Sequence, residues 1–288
     1  FANKEKKKNL LIYDAINSLL IKNKILAPKL YNENYTNNFI EIEDFGDDTI
    51  FNLLKKKQNQ KISLYKKSVD LVNKIQKIKQ NSTKDFKGKN YKIPTYDNMK
   101  LFAETKLFLD WYAKKYLTKN KRLNFNIEIK NQIKFLLSKL KLKNNIFVHR
   151  DFHISNLIRY KKQLATIDTQ DALIGNRAYD LASLIDDVRF KSSKEFKDKI
   201  YNYYLKLNKK KVSEDIFKND FEILSVLRNM KIIGIFTRLA VRDKKIIYLK
   251  LIPYAWKLIE LRTKNNKIFS NLKKILDFNF SKKIRKLK

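Results

Sequence analysis

The chain has 288 residues, 43% of them apolar and 12% aromatic, which supports a folded core and excludes a disordered class. It has no cysteine, so disulfides, zinc–thiolate sites, iron–sulfur clusters and a thiol nucleophile are excluded, and a reducing cytoplasm is the expected setting. The formal charge of +36 invites a nucleic-acid or anionic-lipid partner. However, the lysines are spread along the whole chain beside abundant Asn and Ile, the pattern of AT-rich coding with solvated helix faces. A nucleic-acid partner is therefore not expected, whereas small anions such as nucleotides are attracted by the field. No apolar run reaches the ~20 residues of a membrane span.

With only 4 Gly and 3 Pro, helices should dominate. Apolar positions from Leu10 to Ile21 predict a helix, Leu30-Tyr31 a short strand, and the alternation Phe39-Ile40-Glu41-Ile42 a second strand running into Gly46. Beyond Ile50, the stripe Ile62, Tyr65, Val69, Val72 and Ile75 predicts an amphipathic helix. Gln80 to Lys92, with Gly88, reads as a loop. Helices are expected over about 98–117 and 127–142. The texture then changes: Ile146-Phe147-Val148 is a short apolar strand, and 157–160 with 164–167 form a hairpin across Lys161-Lys162. Helices are expected again at 179–190, 193–207, from Ser213 onward and at 248–261, Ser213 acting as N-cap with Glu214 and Asp215 in the first turn. The basic tail from Lys264 is read as partly helical.

The chemistry gathers around both histidines of the chain, His149 and His153, which bracket Asp151. A metal site is one reading of such a trio, but phosphoryl transfer explains more. It needs a carboxylate to accept or orient the proton of the attacking hydroxyl, and an amide oxygen plus a second carboxylate to hold Mg²⁺ against nucleotide phosphates. Residues 149–156, His-Arg-Asp-Phe-His-Ile-Ser-Asn, match the kinase loop H-R-D-x-x-x-x-N letter for letter. A hairpin starting at Asn156 and returning at Asp168 brings its two ends together, so these residues can share one cation while Asp151 faces the same point. His149 is expected to pack and fix the loop. His153 can build the loop or touch substrate, and Arg150 is a local charge partner.

On these residues the chain resembles the aminoglycoside phosphotransferase/choline kinase family. Val148 to Leu157 is similar to its catalytic loop, and Ile167-Asp168-Thr169-Gln170-Asp171-Ala172 with Gly175 and Tyr179-Asp180-Leu181-Ala182 to its metal-binding segment and following helix. Within the family, the texture of Gln170-Asp171-Ala172, Tyr96-Asp97, Glu104, Trp111-Tyr112 and Leu227-Arg228 through Arg238 to Arg242-Asp243 is most similar to anomeric kinases of N-acetylmuramate and N-acetylglucosamine. The resemblance implies Asp151 as catalytic base, Asn156 and Asp168 as Mg²⁺ ligands, and Asp180 as a brace for the loop. Glu43, Asp44 and Phe45 become the linker that meets the adenine of ATP, although Phe45 can equally be core.

The implied fold is α+β and protein-kinase-like: residues 1–45 are the remnant of a small β-containing nucleotide lobe and hinge, and 46–288 a large, mainly helical lobe with a catalytic β-hairpin. Two departures stand out. Thr169-Gln170 replaces the Phe-Gly that often follows the metal aspartate. No glycine precedes Gly46, and none of Lys4, Lys6, Lys7 and Lys8 lies on a convincing strand, so the phosphate-covering loop and its lysine have no equivalent. A start at Phe1 then favours a truncated chain over a poor nucleotide binder. The expected activity is ATP-dependent phosphorylation of a hydroxyl on a small molecule, first an amino sugar in cell-wall recycling, with choline or an aminoglycoside as other acceptors. A polycationic acceptor suits a chain of this charge badly. Arg228 and Arg238, with Arg242, can recognise an acceptor carboxylate or simply pack. The rival is a catalytically silent basic module on nucleic acid or anionic lipid. Oligomeric state is not legible.

Overall fold

The fold comes from a computed structural model, which describes residues 2–286 apart from Lys4, Lys6 and Lys57. In chain order it runs α1 (Lys8–Lys22), β1 (Leu30–Asn34), β2 (Phe39–Ile42), α2 (Ile50–Lys56), α3 (Lys61–Ile75), β3 (Ser82–Lys84) and β4 (Asn90–Lys92). Next come α4 (Asn98–Thr105), a π-helical segment Phe108–Ala113, α5 (Lys114–Tyr116) and α6 (Lys119–Ser138). The middle of the chain holds β5 (Asn144–Val148), β6 (Leu157–Tyr160), β7 (Gln163–Thr166) and β8 (Leu173–Asn176). The rest is helical: α7 (Ala178–Ile185), α8 (Lys194–Asn208), α9 (Glu214–Val241), α10 (Ile252–Thr263), α11 (Ser270–Asn279) and α12 (Lys282–Arg285). Lys4 and Lys6, considered above as phosphate-pairing lysines, lie outside the described residues; Lys7 donates to the Thr36 carbonyl at 3.3 Å instead.

Two compact units emerge. The first holds the residues up to Tyr96, Lys143–Ile185 and Ser192–Lys210, and the second Asp97–Leu142, Asp186–Lys191 and Lys211–Lys288. The expected division at 45/46 falls inside the first unit.

Among the described residues, the first unit contains four antiparallel strand pairs, β1–β2, β3–β4, β5–β8 and β6–β7. The β3–β4 hairpin corrects the expected loop over 80–92: its residues are polar and carry no apolar alternation, but Gly88 at φ +74° and the Asp85 carboxylate, which accepts from the amides of Lys87 and Lys89, close the turn. In β6–β7 the register pairs Tyr160 with Gln163, so Lys161 and Lys162 are a two-residue turn, both at positive φ (44° and 66°), as a tight hairpin of this hand requires. Helix α3 buries Leu64, Tyr65, Val69, Leu71, Val72 and Ile75; Ile62, placed on the apolar stripe above, is exposed. Every residue of α7 is buried. This helix ends at Ile185, short of the expected 190, and the Ile185 carbonyl receives the buried Lys197 ammonium at 2.5 Å, which satisfies one of the orphan acceptors of a helix end.

In the second unit, Phe108, Tyr112, Phe125, Trp256 and Phe280 form a continuous aromatic core, with ring centroids 5.2–6.4 Å apart along Phe108–Tyr112, Phe108–Trp256, Phe108–Phe280 and Phe108–Phe125. Trp256 Nε1 donates to the Tyr112 hydroxyl at 3.0 Å. Burial, as the main cause, pushes the Tyr112 phenol up, so it remains a neutral hydrogen-bonding partner. The expected helix over 98–117 is interrupted by the π-helical segment, and α6 begins at Lys119 and ends at Ser138 where 127–142 was expected. Ser213 precedes α9 but makes no side-chain cap.

Candidate active site

Strand β5 is buried at Ile146, Phe147 and Val148 and delivers the chain into the 149–156 loop. Opposite its end, helix α7 presents Asp180, a buried carboxylate whose two oxygens accept the amides of His149 (2.8 Å) and Arg150 (3.0 Å). Arg150 adopts φ +75°, a conformation that non-glycine residues take at a cost. The Asp180 carboxylate holds both amides across that bend. The Arg150 side chain turns to Asp171 at 2.8 Å.

The His149 ring is buried and tied at one nitrogen. Its Nε2 lies 3.1 Å from the Ile167 carbonyl and 2.7 Å from the Thr166 hydroxyl. With Nε2–H donating to the Ile167 carbonyl, which can only accept, the Thr166 hydroxyl packs against the same nitrogen, and among the described residues Nδ1 has no side-chain hydrogen-bond partner. Desolvation is the largest influence on this ring and lowers its pKa, against the opposing pull of Asp151 and Asp168. It therefore serves as a neutral strut between the loop and the end of β7. His153 is also buried; its amide donates to the Asp151 carbonyl at 3.0 Å and its carbonyl accepts from Asn156 at 2.8 Å. That burial fits loop construction and leaves little of the ring for a ligand.

The β6–β7 hairpin closes the site. Asn156 Nδ2 donates to the Asp151 carbonyl at 3.1 Å and lies 3.4 Å from Asp168 Oδ2. This use of the amide nitrogen leaves the Asn156 carbonyl oxygen as the donor atom for a cation. Asp168 sits at φ +60°, which aspartate tolerates better than most residues, and its Oδ1 accepts from Gln170 Nε2 at 2.7 Å. Among the described residues no group of three or more His, Cys, Asp and Glu gathers into a metal cage. An amide oxygen and one carboxylate make a sparse, hard, all-oxygen set that leaves most of a cation's shell to other ligands, and this chemistry fits Mg²⁺.

Asn156 and Asp168 open onto a cleft of about 960 Å³ whose other lining includes Glu43, Asp44, Phe45, Leu10, Tyr13 and Ile42. Phe45 is also core: it is buried with Ile158 and Ala165 and packs against Tyr160 with the rings tilted and their centroids 4.8 Å apart. Asp44 accepts from the Gly46 amide at 2.8 Å, a local turn that lets Gly46 take φ +73°. The structure thus gathers His149, Asp151, His153, Asn156, Asp168, Asp180 and residues 43–45 in the first unit. Arg228 and Arg238 stand on α9 in the second unit.

Sequence reasoning assigned no role to Thr166, Tyr13, Asn17 or Gln170. Thr166 and Tyr13 carried no motif signal, because their roles depend on partners distant in the chain. Asn17 of α1 accepts the Thr169 hydroxyl at 2.6 Å and donates to the Pro28 carbonyl at 3.1 Å, so the Thr169 that departs from the usual Phe ties the metal-side turn to α1. Gln170, two residues after Asp168, is the one contact that local spacing could have suggested.

Comparison with known proteins places this site in context. The chain is 28% identical over 222 residues to the N-acetylmuramate/N-acetylglucosamine kinase of Neisseria meningitidis serogroup B, covering 75% of this chain and 64% of that protein. It is 25% identical over 239 residues to the kinase of the same name from Caulobacter vibrioides, covering 80% and 64%. The chain therefore spans just under two thirds of the length of these relatives. Among solved structures, it superposes on a choline/ethanolamine kinase family protein from Mesorhizobium loti with a TM-score of 0.60 at 10% identity, over 95% of this chain and 85% of that one. With the ADP-bound aminoglycoside phosphotransferase APH(2'')-Ib the TM-score is 0.57 at 16% identity, over 90% and 83%. These likenesses establish a protein-kinase-like α+β fold. The phosphotransferase enzyme family profile matches residues 54–214, over half of the chain and including the whole 149–180 site, and the chain belongs to that family.

Proposed function

We propose that the chain carries the catalytic core of an ATP-dependent kinase that phosphorylates a hydroxyl, the anomeric one, of an N-acetylated amino sugar. The observation that carries this reading is that Asn156 and Asp168 line one cleft 3.4 Å apart, with the Asn156 amide nitrogen bonded to the Asp151 carbonyl of the catalytic loop. In this reading Asp151 accepts the proton of the acceptor hydroxyl as its oxygen bonds to the γ-phosphorus and the bond to ADP breaks. Asn156 and Asp168 hold Mg²⁺, which when bound neutralises phosphate charge. Residues 43–45 face the base, with the apolar wall of Leu10 and Ile42 beside them. His149, Thr166 and Asp180 position the loop and touch no reactant. The names of the relatives from Neisseria and Caulobacter support the amino sugar as acceptor.

Arg228 is the candidate reader of an acceptor carboxylate. It is 5% exposed, and its Nη1 has no hydrogen-bond partner among the described residues. A buried guanidinium nitrogen in that state is costly until an anion meets it. N-acetylmuramate carries a carboxylate that N-acetylglucosamine lacks, so Arg228→Met should raise KM for the first and leave the second nearly unchanged. The cysteine-free composition and ATP use fit a cytoplasmic setting; among the described residues no helix is long and apolar enough to cross a membrane.

The test is phosphotransfer by the purified full-length protein with ATP and Mg²⁺ against N-acetylmuramate, N-acetylglucosamine, choline and kanamycin. Turnover of the amino sugars, reduced by about 10²–10⁴ in Asp151→Asn, is expected. Turnover of choline or kanamycin without the amino sugars would overturn the acceptor assignment.

A further inference from the structure

The turn between α9 and α10 has a composition that phosphoryl transfer does not use. Ile246 and Ile247 are 71% and 65% exposed, and Val241 at the end of α9 is 44% exposed. Three aliphatic side chains left in water within seven positions form a local apolar knuckle rather than scattered surface residues. The backbone beneath is well fixed. The amides of Asp243 and Lys245 both bond the Leu239 carbonyl (3.2 and 3.0 Å), Lys244 closes the turn at φ +58°, and Ile246–Leu251 forms a 3-10 helix. Tyr248 stacks on Phe236 of α9 at 5.1 Å. With its base anchored in this way, the knuckle has no route for burying the two isoleucines in its own unit.

The net charge of the knuckle is positive. Arg242 is neutralised by Asp243, Nε to Oδ1 at 2.6 Å, which leaves Lys244, Lys245 and Lys250, all exposed, as the net charge of the turn. Exposed apolar side chains beside exposed lysines of the same turn match an anionic bilayer surface, where the acyl boundary takes the isoleucines and the head groups take the lysines. A second copy of this chain would bring the same cations together and is disfavoured at a net charge of +36. Nucleic acid would satisfy the lysines but offers the aliphatic pair no partner.

We infer that the 241–250 knuckle is a peripheral docking surface for anionic phospholipid membranes. The test is co-sedimentation of the full-length protein with vesicles of phosphatidylglycerol and phosphatidylcholine, and with vesicles of phosphatidylcholine alone. Because a chain this basic binds any polyanion to some degree, the discriminating variant is I246S/I247S, which changes no charge. It should lower the partition coefficient on anionic vesicles by at least about ten-fold. Lys244→Gln and Lys245→Gln should each lower it about five-fold, and K244Q/K245Q by more than the charge-matched control K77Q/K79Q in the first unit. Unchanged vesicle binding by I246S/I247S, equal losses in the control, or absence of binding to anionic vesicles would overturn the inference. So would loss in I246S/I247S of duplex DNA binding or of self-association in sedimentation without any loss on vesicles.

Discussion

Asp180 and His149 are joined through the backbone: the Asp180 carboxylate takes the His149 amide at 2.8 Å and, with its other oxygen, the Arg150 amide at 3.0 Å. The pair links the first turn of α7 to the start of the catalytic loop, and the link is buried. Asp180→Ala would leave two buried donors without acceptors while Arg150 still has to hold φ +75°. We expect a loss of about 2–4 kcal/mol in urea unfolding and loss of turnover. Asp180→Asn, which retains one accepting oxygen, should lie between. If Asp180→Ala unfolded like the parent, the bracing role would be wrong.

The opposite end of the loop makes a separate prediction. Asn156 and Asp168 approach to 3.4 Å and would share one cation. Asp168→Asn keeps a side chain that tolerates positive φ and removes the charge. Titration of ATP in the presence of Mg²⁺ should then show affinity weakened about 10–100-fold, with the melting temperature near that of the parent. The same titration with EDTA should show the two proteins binding alike. A parent-like response to Mg²⁺ in Asp168→Asn would remove the residue from the cation site.

Much of this architecture was legible in the chain. The hairpin was readable because apolar runs flank Lys161-Lys162, and a hairpin of known register returns its far end to its start; the juxtaposition of Asn156 and Asp168 follows from that. Unreadable features were those created by distant partners. Thr166 reads as an ordinary strand threonine until β7 lies beside His149. The β3–β4 hairpin has no apolar alternation, since it is held by Asp85 and Gly88 and not by burial. Arg228 was found as a candidate from texture alone, but its unpartnered Nη1 needed coordinates. The π-helical break after α4 lies where Gly234 of α9 packs against the Leu107 and Phe108 backbone, a contact that no local window contains.

His149 makes stability depend on pH with a definite sign. Burial lowers its pKa in the folded protein below the ordinary value of 6.5. Between that value and the folded one, the unfolded chain binds the proton and the folded chain does not, so stability rises with pH. Its contribution is fully present above about pH 6.5, falls as the solution is acidified through the window beneath, and levels off once the folded-state value is passed. His149→Gln can present an amide N–H to the Ile167 carbonyl but does not titrate. Melting curves from pH 7.5 to 5 should fall less steeply for this variant than for the parent. Parallel curves would mean that the folded-state pKa of His149 is not depressed.

Gly234 lies in the interior of α9, where glycine is unfavourable by about 1 kcal/mol relative to alanine. On propensity alone Gly234→Ala would stabilise the protein. The structure reverses that sign. A Cβ built at Gly234 would fall onto the backbone of Leu107 and Phe108, 2.5 Å from the Phe108 nitrogen, at the entry to the π-helical segment. Backbone, unlike the tip of a flexible side chain, cannot step aside without shifting Phe108, which sits among Tyr112, Phe125, Trp256 and Phe280. Overpacking of this kind costs about 3 kcal/mol, which outweighs the propensity gain. We expect Gly234→Ala to lower stability by about 2 kcal/mol in denaturant unfolding, with a change in near-ultraviolet circular dichroism from the aromatic cluster. A variant as stable as the parent, with an unchanged aromatic signal, would mean that α9 and the π-helical segment do not approach this closely.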